Sequence, residues 1–440
     1  MKTDFSNFKN TKEGKIILGQ IISLLKNIYF VEVFRDRESR RKLDDAGFAQ
    51  IHSFSVPPHF VSGCSIGWTH QAMKAIENIA EKSIHHFIQL SNGDKEFFST
   101  IIQDIVKDNI ANEDIFNFYL FSFDKSKSFF DLSSPEKPIE FAELFWQKIY
   151  DAFDESINEW IVIFPLHKVS SQSFSLNYDG IFILNPNDED TFVNFTSNFD
   201  MANRWYFSND TSYDWILKKE EISWLICKIS GTADGAKYFA AKQMRTFIAV
   251  LFAHLYPSQP ELLGKVSIEA ETYSIQFASN RKVTKGNGVT SHIGNLFPPS
   301  GIEIVLTDSI LESVTNWYKK KDSLNEEQKS RFNVASQFIQ YGIIANGLER
   351  FIHFFIALDS MFGERHKVET KITEGIVKTF PNNNLWKYKI EKLFDLRSEL
   401  LHGSCSSITD WKKLDSYKKH CKSNPLWDVI TASMTAFRNI

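Results

Sequence analysis

The sequence predicts a multidomain α+β protein with three parts: a mainly helical N-terminal region (1–158), a mixed α/β middle domain (159–322) and an all-α C-terminal bundle (323–440). Apolar residues recur with helical period in the first and last parts, whereas the middle contains short runs rich in Val, Ile, Phe and Tyr. The chain has 440 residues, which is long for one domain. Its 43% hydrophobic and 24% charged residues are globular proportions and exclude wholesale disorder.

The first two parts differ in their periodicity. Helices are predicted over residues 16–29, 70–90, 97–106 and 138–153, with Pro138 in a first helical turn and a candidate strand over residues 29–34. In the middle part, residues 160–166, 173–184 and 192–196 favour strands. A long helical zone is predicted over residues 212–255, interrupted near Gly231 and Gly235, and alternation returns over residues 266–277 and 301–306.

The last part reads as helix throughout. Candidate helices cover residues 326–346, 349–362, 367–379, 385–402, 409–423 and 425–438. Their ends are marked by Gly347, Gly363, Pro381 and Gly403, because glycine and proline terminate helices.

Charge and cysteine content limit the function classes. The formal charge is −4, so no basic field covers the whole protein, but residues 322–440 hold 17 Lys plus Arg against 14 Asp plus Glu. The four cysteines form no C-x-x-C pair, and the histidines and acids form no metal-ligand pattern, so we expect no metal and no cofactor. The first residues lack the apolar core of a signal peptide, and no apolar stretch is long enough for a membrane span. We therefore expect a cytoplasmic protein without a membrane partner.

Two motifs resemble the loops of known enzyme classes. Residues 63–67 read Gly-x-Ser-x-Gly around Ser65, the pattern of a hydrolase nucleophile, although the alternating β-α series of that fold is missing. Residues 231–237 resemble a phosphate loop but lack its spacing, and we expect them to form a loop that joins no strand to a helix. A turn of small residues is the favoured interpretation of the first motif.

The motif with the clearest chemistry lies in residues 393–404, LFDLRSELLHGS, where Arg397 and His402 form R-x4-H before Gly403. A structural interpretation remains open, since a histidine in a last helical turn favours the helix dipole and Arg397 can pair with Asp359, Asp395 or Glu399. Upstream, residues 348–364 read LERFIHFFIALDSMFGE, a helix with an acid inside an apolar face. Together the two segments resemble the Apea-like branch of the HEPN superfamily over about residues 326–438.

The resemblance implies a dimerising helical bundle and, in active members, a metal-independent endoribonuclease. His402 would act as acid or base, and Arg397 would hold the scissile phosphate. Asp359 or Glu399 would orient Arg397, and Ser398 would line the cleft. Five residues at about 100° each place Arg397 and His402 about 140° apart on an ideal helix, which favours a site shared by two chains about a two-fold axis.

The expected partners are RNA (tRNA or mRNA), a second copy of the chain and a phage-derived trigger. We expect an anti-phage or abortive-infection effector whose N-terminal two-thirds sense the trigger or restrain the nuclease. The residues Lys412, Lys413, Lys418 and Lys419 either form a groove for the RNA backbone or a solvated basic face. The alternatives are a non-catalytic module that binds RNA, a nucleotide or a protein, and a hydrolase that uses Ser65.

Overall fold

The structure is a computed structural model that describes residues 10–32, 48–53, 64–87, 90–111, 127–133, 137–176, 178, 180–185, 188, 190, 222–263, 273–278, 288–292 and 303–440. This part of the chain is mostly helical, with thirteen α-helices and three small sheets. The predicted mixture of helices and sheets is therefore confirmed, whereas the division into three domains stays a prediction. The strand predicted over residues 192–196 lies outside the described residues.

The chain divides into two compact units. The first comprises Met1–Glu159 together with Ser230–Ala236, and the second comprises Trp160–Ile229 together with Lys237–Ile440. Each unit is described separately below.

The first unit combines five helices with a three-stranded antiparallel sheet of order β1-β3-β2. Its elements are α1 (Lys12–Lys26), β1 (Ile28–Glu32), β2 (Phe48–Ser53), β3 (Cys64–Thr69), α2 (His70–His86), α3 (Lys95–Ala111), α4 (Phe129–Ser133) and α5 (Pro138–Ser156). The amphipathic faces of α1, α2 and α5 meet in one apolar core that includes Trp68 and Trp146. Thr11 and Thr69 cap α1 and α2 by accepting hydrogen bonds from backbone N–H groups, and Pro138 starts α5 as predicted.

The second unit carries a six-stranded sheet of order β10-β9-β4-β8-β7-β6 and a parallel pair of β5 with β11. Its strands are β4 (Asn158–His167), β5 (Val169–Ser171), β6 (Phe174–Ser175), β7 (Ile181–Leu184), β8 (Ile222–Gly231), β9 (Tyr273–Ala278), β10 (Gly288–His292) and β11 (Ile304–Leu306). The first residues of β4 and the last of β8 belong to the other unit.

One helix prediction is wrong. Within the zone predicted as helical from residue 212, residues 222–231 form strand β8, and the helix α6 (Ala233–Leu255) begins only after it. The segment ISWLICKISG is rich in β-branched and aromatic residues and lies between two other strands of its sheet. Within this segment Ser223–Cys227 are buried in succession, and such a stretch has no period that distinguishes a strand from a helix, so pairing in the sheet decides.

The C-terminal helices follow the predicted order closely. After α7 (Asp308–Asp322) they are α8 (Glu326–Ile344), α9 (Gly347–Phe362), α10 (Val368–Thr379), α11 (Leu385–Leu401), α12 (Leu414–Cys421) and α13 (Pro425–Arg438). Helix α9 buries a wide apolar face and packs against α8, α10 and α13. The helix predicted over residues 409–423 is shorter, since residues Ile408–Asp410 form a 3₁₀ turn and α12 starts at Leu414.

Polar contacts join the C-terminal helices to one another and to α6. A hydrogen bond of 2.8 Å links Thr246 of α6 to Ser336 of α8. The buried guanidinium of Arg350 in α9 donates to the carbonyls of Gly342, Ile343 and Ala345 at the end of α8 and to that of Leu263. Arg350 therefore satisfies helix-terminal carbonyls that no backbone N–H reaches.

Candidate functional site

Helix α11 ends in a Schellman motif that fixes the backbone around His402. The Ser404 N–H donates to the Glu399 carbonyl at 2.8 Å, and the Gly403 N–H donates to the Leu400 carbonyl at 3.3 Å. Gly403 has φ +72°, a left-handed conformation that glycine adopts without a Cβ penalty. His402 is the C-cap residue directly before it, and its side chain is exposed.

Arg397 lies one turn earlier and rests on an aromatic ring. Its guanidinium carbon is 5.1 Å from the centroid of the Phe355 ring of α9, within cation–π range. Phe355 is buried and meets Phe394 of α11 edge to face, with ring centroids 4.8 Å apart. In the part of the chain that the structure describes, Arg397 makes no ion pair and no side-chain hydrogen bond.

The acids on α11 near Arg397 are paired with lysines instead. Lys413 contacts the carboxylates of both Asp395 and Glu399 at 3.3 Å, and Lys392 contacts Asp395 at 3.0 Å. Burial raises the pKa of Asp395, but the hydrogen bonds from both lysines outweigh it, so this pKa lies below its ordinary value. The same two carboxylates raise the pKa of Lys413. Lysines thus compensate the negative charges of Asp395 and Glu399, whereas the positive charge of Arg397 has no acid partner in the described chain.

The expected orienting residues do not contact Arg397 within ion-pair distance. Asp359 lies one turn after Phe355 on α9, and its carboxylate lies close to Gly363 at the helix end. Glu399 binds Lys413, as described, and Ser398 is exposed on the last turn of α11. The arginine is thus held by a ring that the sequence interpretation did not single out.

The four lysines expected to bind RNA fall into two groups. All four are exposed, but Lys413 forms the ion pairs with Asp395 and Glu399, whereas Lys412, Lys418 and Lys419 form no ion pair among the described residues. The neighbouring aromatic residues Trp411 and Tyr417 are buried in the core and are not available to stack on a base. Three lysines therefore remain candidates for contact with a polyanion.

The Ser65 motif does not have the geometry of a nucleophile turn. Ser65 is the second residue of strand β3 and pairs with Val31 on one side and Ser53 on the other. A hydrolase serine would lie on the sharp turn between a strand and the following helix, but here four more strand residues come first.

Residues 231–237, in contrast to the expectation, do join a strand to a helix. Gly231 ends β8, and Thr232 Oγ1 accepts from the Gly235 N–H at the start of α6 and from the Asp94 N–H. The Asn92 carbonyl lies so close to Gly235 that a Cβ there would collide with it. The segment around Asn92 therefore occupies the space in front of this helix N-terminus, where a phosphate would have to lie.

A second polar cluster on α11 was not singled out from the sequence. The Lys389 ammonium contacts the Asp428 carboxylate of α13 at 2.6 Å, and both side chains are buried. Tyr417 and Ser423 also donate to that carboxylate. The spacing from Lys389 to Asp428 carries no local signal, so only the fold brings these residues together.

Neither a metal cluster nor a spanning helix is found among the described residues. No three His, Cys, Asp or Glu side chains of that part of the chain converge on one point. Its helices are all too short or too polar to cross a lipid bilayer. Comparisons with protein-family models, with curated proteins and with solved structures return no match for this chain.

Proposed function

We propose that the C-terminal helices form an RNA-cleaving module of the HEPN type with Arg397 and His402 as its reacting groups. The supporting observation is the state of Arg397: it is partly buried, its guanidinium carbon lies over the Phe355 ring, and it is paired with no acid of the described chain. A guanidinium in this state has its planar set of N–H donors available for a phosphate. His402 is exposed at the end of the same helix, where its imidazole is accessible to substrate.

The proposed reaction uses the 2′-hydroxyl of the RNA and needs no metal. A neutral imidazole removes the proton from the 2′-oxygen, which attacks the adjacent phosphorus, while the bond from phosphorus to the 5′-oxygen breaks. That 5′-oxygen takes up a proton from an imidazolium, so the products are a 2′,3′-cyclic phosphate and a 5′-hydroxyl. Arg397 stabilises the charge that develops on the phosphorane oxygens.

Two copies of the chain would form one site. In a single chain, Arg397 and His402 lie about 140° apart around an ideal helix, which presents them poorly to one phosphate. The Schellman hydrogen bonds fix the backbone of His402 at the end of the helix. An isologous pair of α11 helices would bring two arginines and two histidines to a common cleft, and the two histidines would serve as base and acid.

The first experiment maps RNA ends after expression of the wild type, Arg397→Ala and His402→Ala. We expect discrete cuts with 5′-hydroxyl ends in the wild type and their loss in both variants. Arg365→Ala and His366→Ala are matched controls, because these exposed residues of the same bundle lie in the segment between α9 and α10. Identical RNA patterns for the wild type and Arg397→Ala, with and without phage infection, would refute cleavage by this site.

Co-expression tests the shared cleft. A mixed dimer of Arg397→Ala with His402→Ala keeps one arginine and one histidine, so we expect it to recover part of the cleavage that each variant lacks alone. Failure of the mixture, with both variants shown to associate, would indicate either that each chain cleaves alone or that the cleft needs both histidines. A wild-type copy fused to a His402→Ala copy distinguishes these cases, because it stays active only if each chain cleaves alone.

The biological setting is proposed from the family resemblance. The protein would act in the cytoplasm as an anti-phage or abortive-infection effector, and the N-terminal two-thirds would sense a phage-derived trigger or restrain the nuclease. The alternative is a non-catalytic module that binds RNA, a nucleotide or a protein. RNA binding without any cleavage, lost in Arg397→Ala, would favour that alternative.

A further inference from the structure

The Arg397 guanidinium is held without an anion. Its one described side-chain partner is the Phe355 ring, 5.1 Å from the guanidinium carbon. The acids that share α11 with it, Asp395 and Glu399, are occupied by Lys392 and Lys413. They are also two residues away from Arg397, and positions at that spacing do not face each other on a helix.

The ring that holds Arg397 is itself fixed in the core. Phe355 is 1% exposed, and its ring meets Phe394 at an interplanar angle of 90° and Phe351 at a centroid distance of 6.0 Å. A buried ring with neighbours on several sides cannot follow a moving side chain, so it defines one position for the guanidinium above it.

A ring and a carboxylate hold a guanidinium with different consequences. A carboxylate takes up two N–H donors and neutralises the charge, and a phosphate would then have to displace it. A ring attracts the cation through its face and carries no negative charge that would neutralise it. The contact with Phe355 therefore positions Arg397 and leaves its positive charge uncompensated, ready for an anionic ligand.

We propose that Phe355 is a positioning residue that holds Arg397 ready for the scissile phosphate through the negative face of its ring. This inference rests on the proposed function of Arg397. It assigns a role to Phe355, a core residue that the motifs in residues 348–364 and 393–404 do not single out. The role depends on the charge distribution of the ring as well as on its volume.

Progressive fluorination of Phe355 separates these two properties. Replacing the residue with phenylalanine analogues of one, two and three ring fluorines weakens the cation–π attraction in steps and changes the ring volume little. We expect kcat/KM for RNA cleavage to fall with each fluorine, by about 3- to 10-fold across the series. The same series at Phe354, a buried residue of α9 whose ring lies against Gly342 of α8, is the matched control and should leave kcat/KM unchanged.

A second measurement does not require catalysis. In the wild type, the ring current of Phe355 should shift the Nε–H proton resonance of Arg397, assigned by comparison with Arg397→Ala. Phe355→Leu should return that resonance towards the position of an exposed arginine, whereas Phe354→Leu should not. Equal shifts in both leucine variants would overturn the proposal, whether or not the protein cleaves RNA.

The two proposals fail in different ways. If the wild type cleaves RNA through Arg397 but kcat/KM does not change with fluorination at Phe355, the positioning role is wrong and the nuclease assignment still holds. If Arg397→Ala and the wild type give identical RNA patterns but the resonance shift is present, the contact with Phe355 exists and the nuclease assignment is wrong. A steady fall in kcat/KM with fluorination at Phe355 and none with fluorination at Phe354 would support both.

Discussion

Replacing Asp428 with asparagine should strongly destabilise the bundle. The Lys389 ammonium and the Asp428 carboxylate are 2.6 Å apart, and their side chains are only 10% and 7% exposed. The asparagine would keep the size of the side chain and an oxygen for the Tyr417 and Ser423 hydroxyl groups, but it would leave the ammonium buried without a counter-charge. Loss of one partner of a buried pair costs about 3–5 kcal/mol.

Hydrogen exchange on α11 and α13 measures this change locally. A loss of about 3–5 kcal/mol corresponds to roughly two to four orders of magnitude in the exchange rates of the most protected amides. Glu374→Gln is the matched control, because its pair with Lys371 has a similar distance of 3.0 Å but is half exposed. An exposed pair contributes at most about 1 kcal/mol, so this control should change little.

The double variant Lys389→Met with Asp428→Asn tests the physical reason. Removing both charges eliminates the uncompensated ion, so we expect the double variant to be more stable than Asp428→Asn alone. An Asp428→Asn protein as stable as Glu374→Gln would refute the argument, since the pair would then not be isolated from water. A double variant less stable than either single variant would also contradict it.

Three further predictions concern stability. Burial lowers the pKa of His254 to about 4. Between pH 6.5 and 4 the unfolded chain therefore binds a proton that the folded chain does not, so the unfolding free energy should fall as the pH drops, by at most ~1.4 kcal/mol per pH unit. Urea unfolding at several pH values should show this slope for the wild type and not for His254→Gln. Burial and Asp428 raise the pKa of Tyr417; stability should therefore fall as the pH rises above about 10, and less so in Tyr417→Phe, as measured by the same titration. Arg350→Leu should cost about 3 kcal/mol or more by thermal unfolding, because it leaves several carbonyls unpaired, and Arg350→Lys should recover only part.

Local signals predicted most of the helical part of the fold. Residues 425–438 and 349–362 carry helical periodicity, and Pro425 and Gly363 stand at helix ends, so the boundaries of α13 and α9 agree closely with the prediction. The error at residues 222–231 arose because Ser223–Cys227 are buried in succession, and a fully buried stretch has no amphipathic period. There the neighbouring strands, which are distant in sequence, decided the conformation.

The candidate site shows the same limit. Arg397 and His402 stand out in the sequence because both are polar residues near a marked helix end. Contacts between segments distant in sequence determine their surroundings: Phe355 of α9 contacts Arg397, and Lys413, from the segment before α12, pairs with Asp395 and Glu399. No spacing along the chain distinguishes Phe355 from its buried neighbours Phe351 and Phe354. The ion pairs of Lys413 with Asp395 and Glu399 likewise depend on how the segment before α12 packs on α11.

Under the proposed function, the two ends of α11 would have different roles, one in stability and one in RNA cleavage. Lys389 anchors the first half of the helix to α13 through a buried ion pair, whereas Arg397 and His402 lie in its last turns with no acid partner in the described chain. A helix is stiff over the two turns between these positions, so the anchor determines where the last turn points. Substitutions at Asp428 should therefore lower stability and activity together. Substitutions at Arg397, His402 or the ring electronics of Phe355 should lower activity and leave the unfolding free energy nearly unchanged.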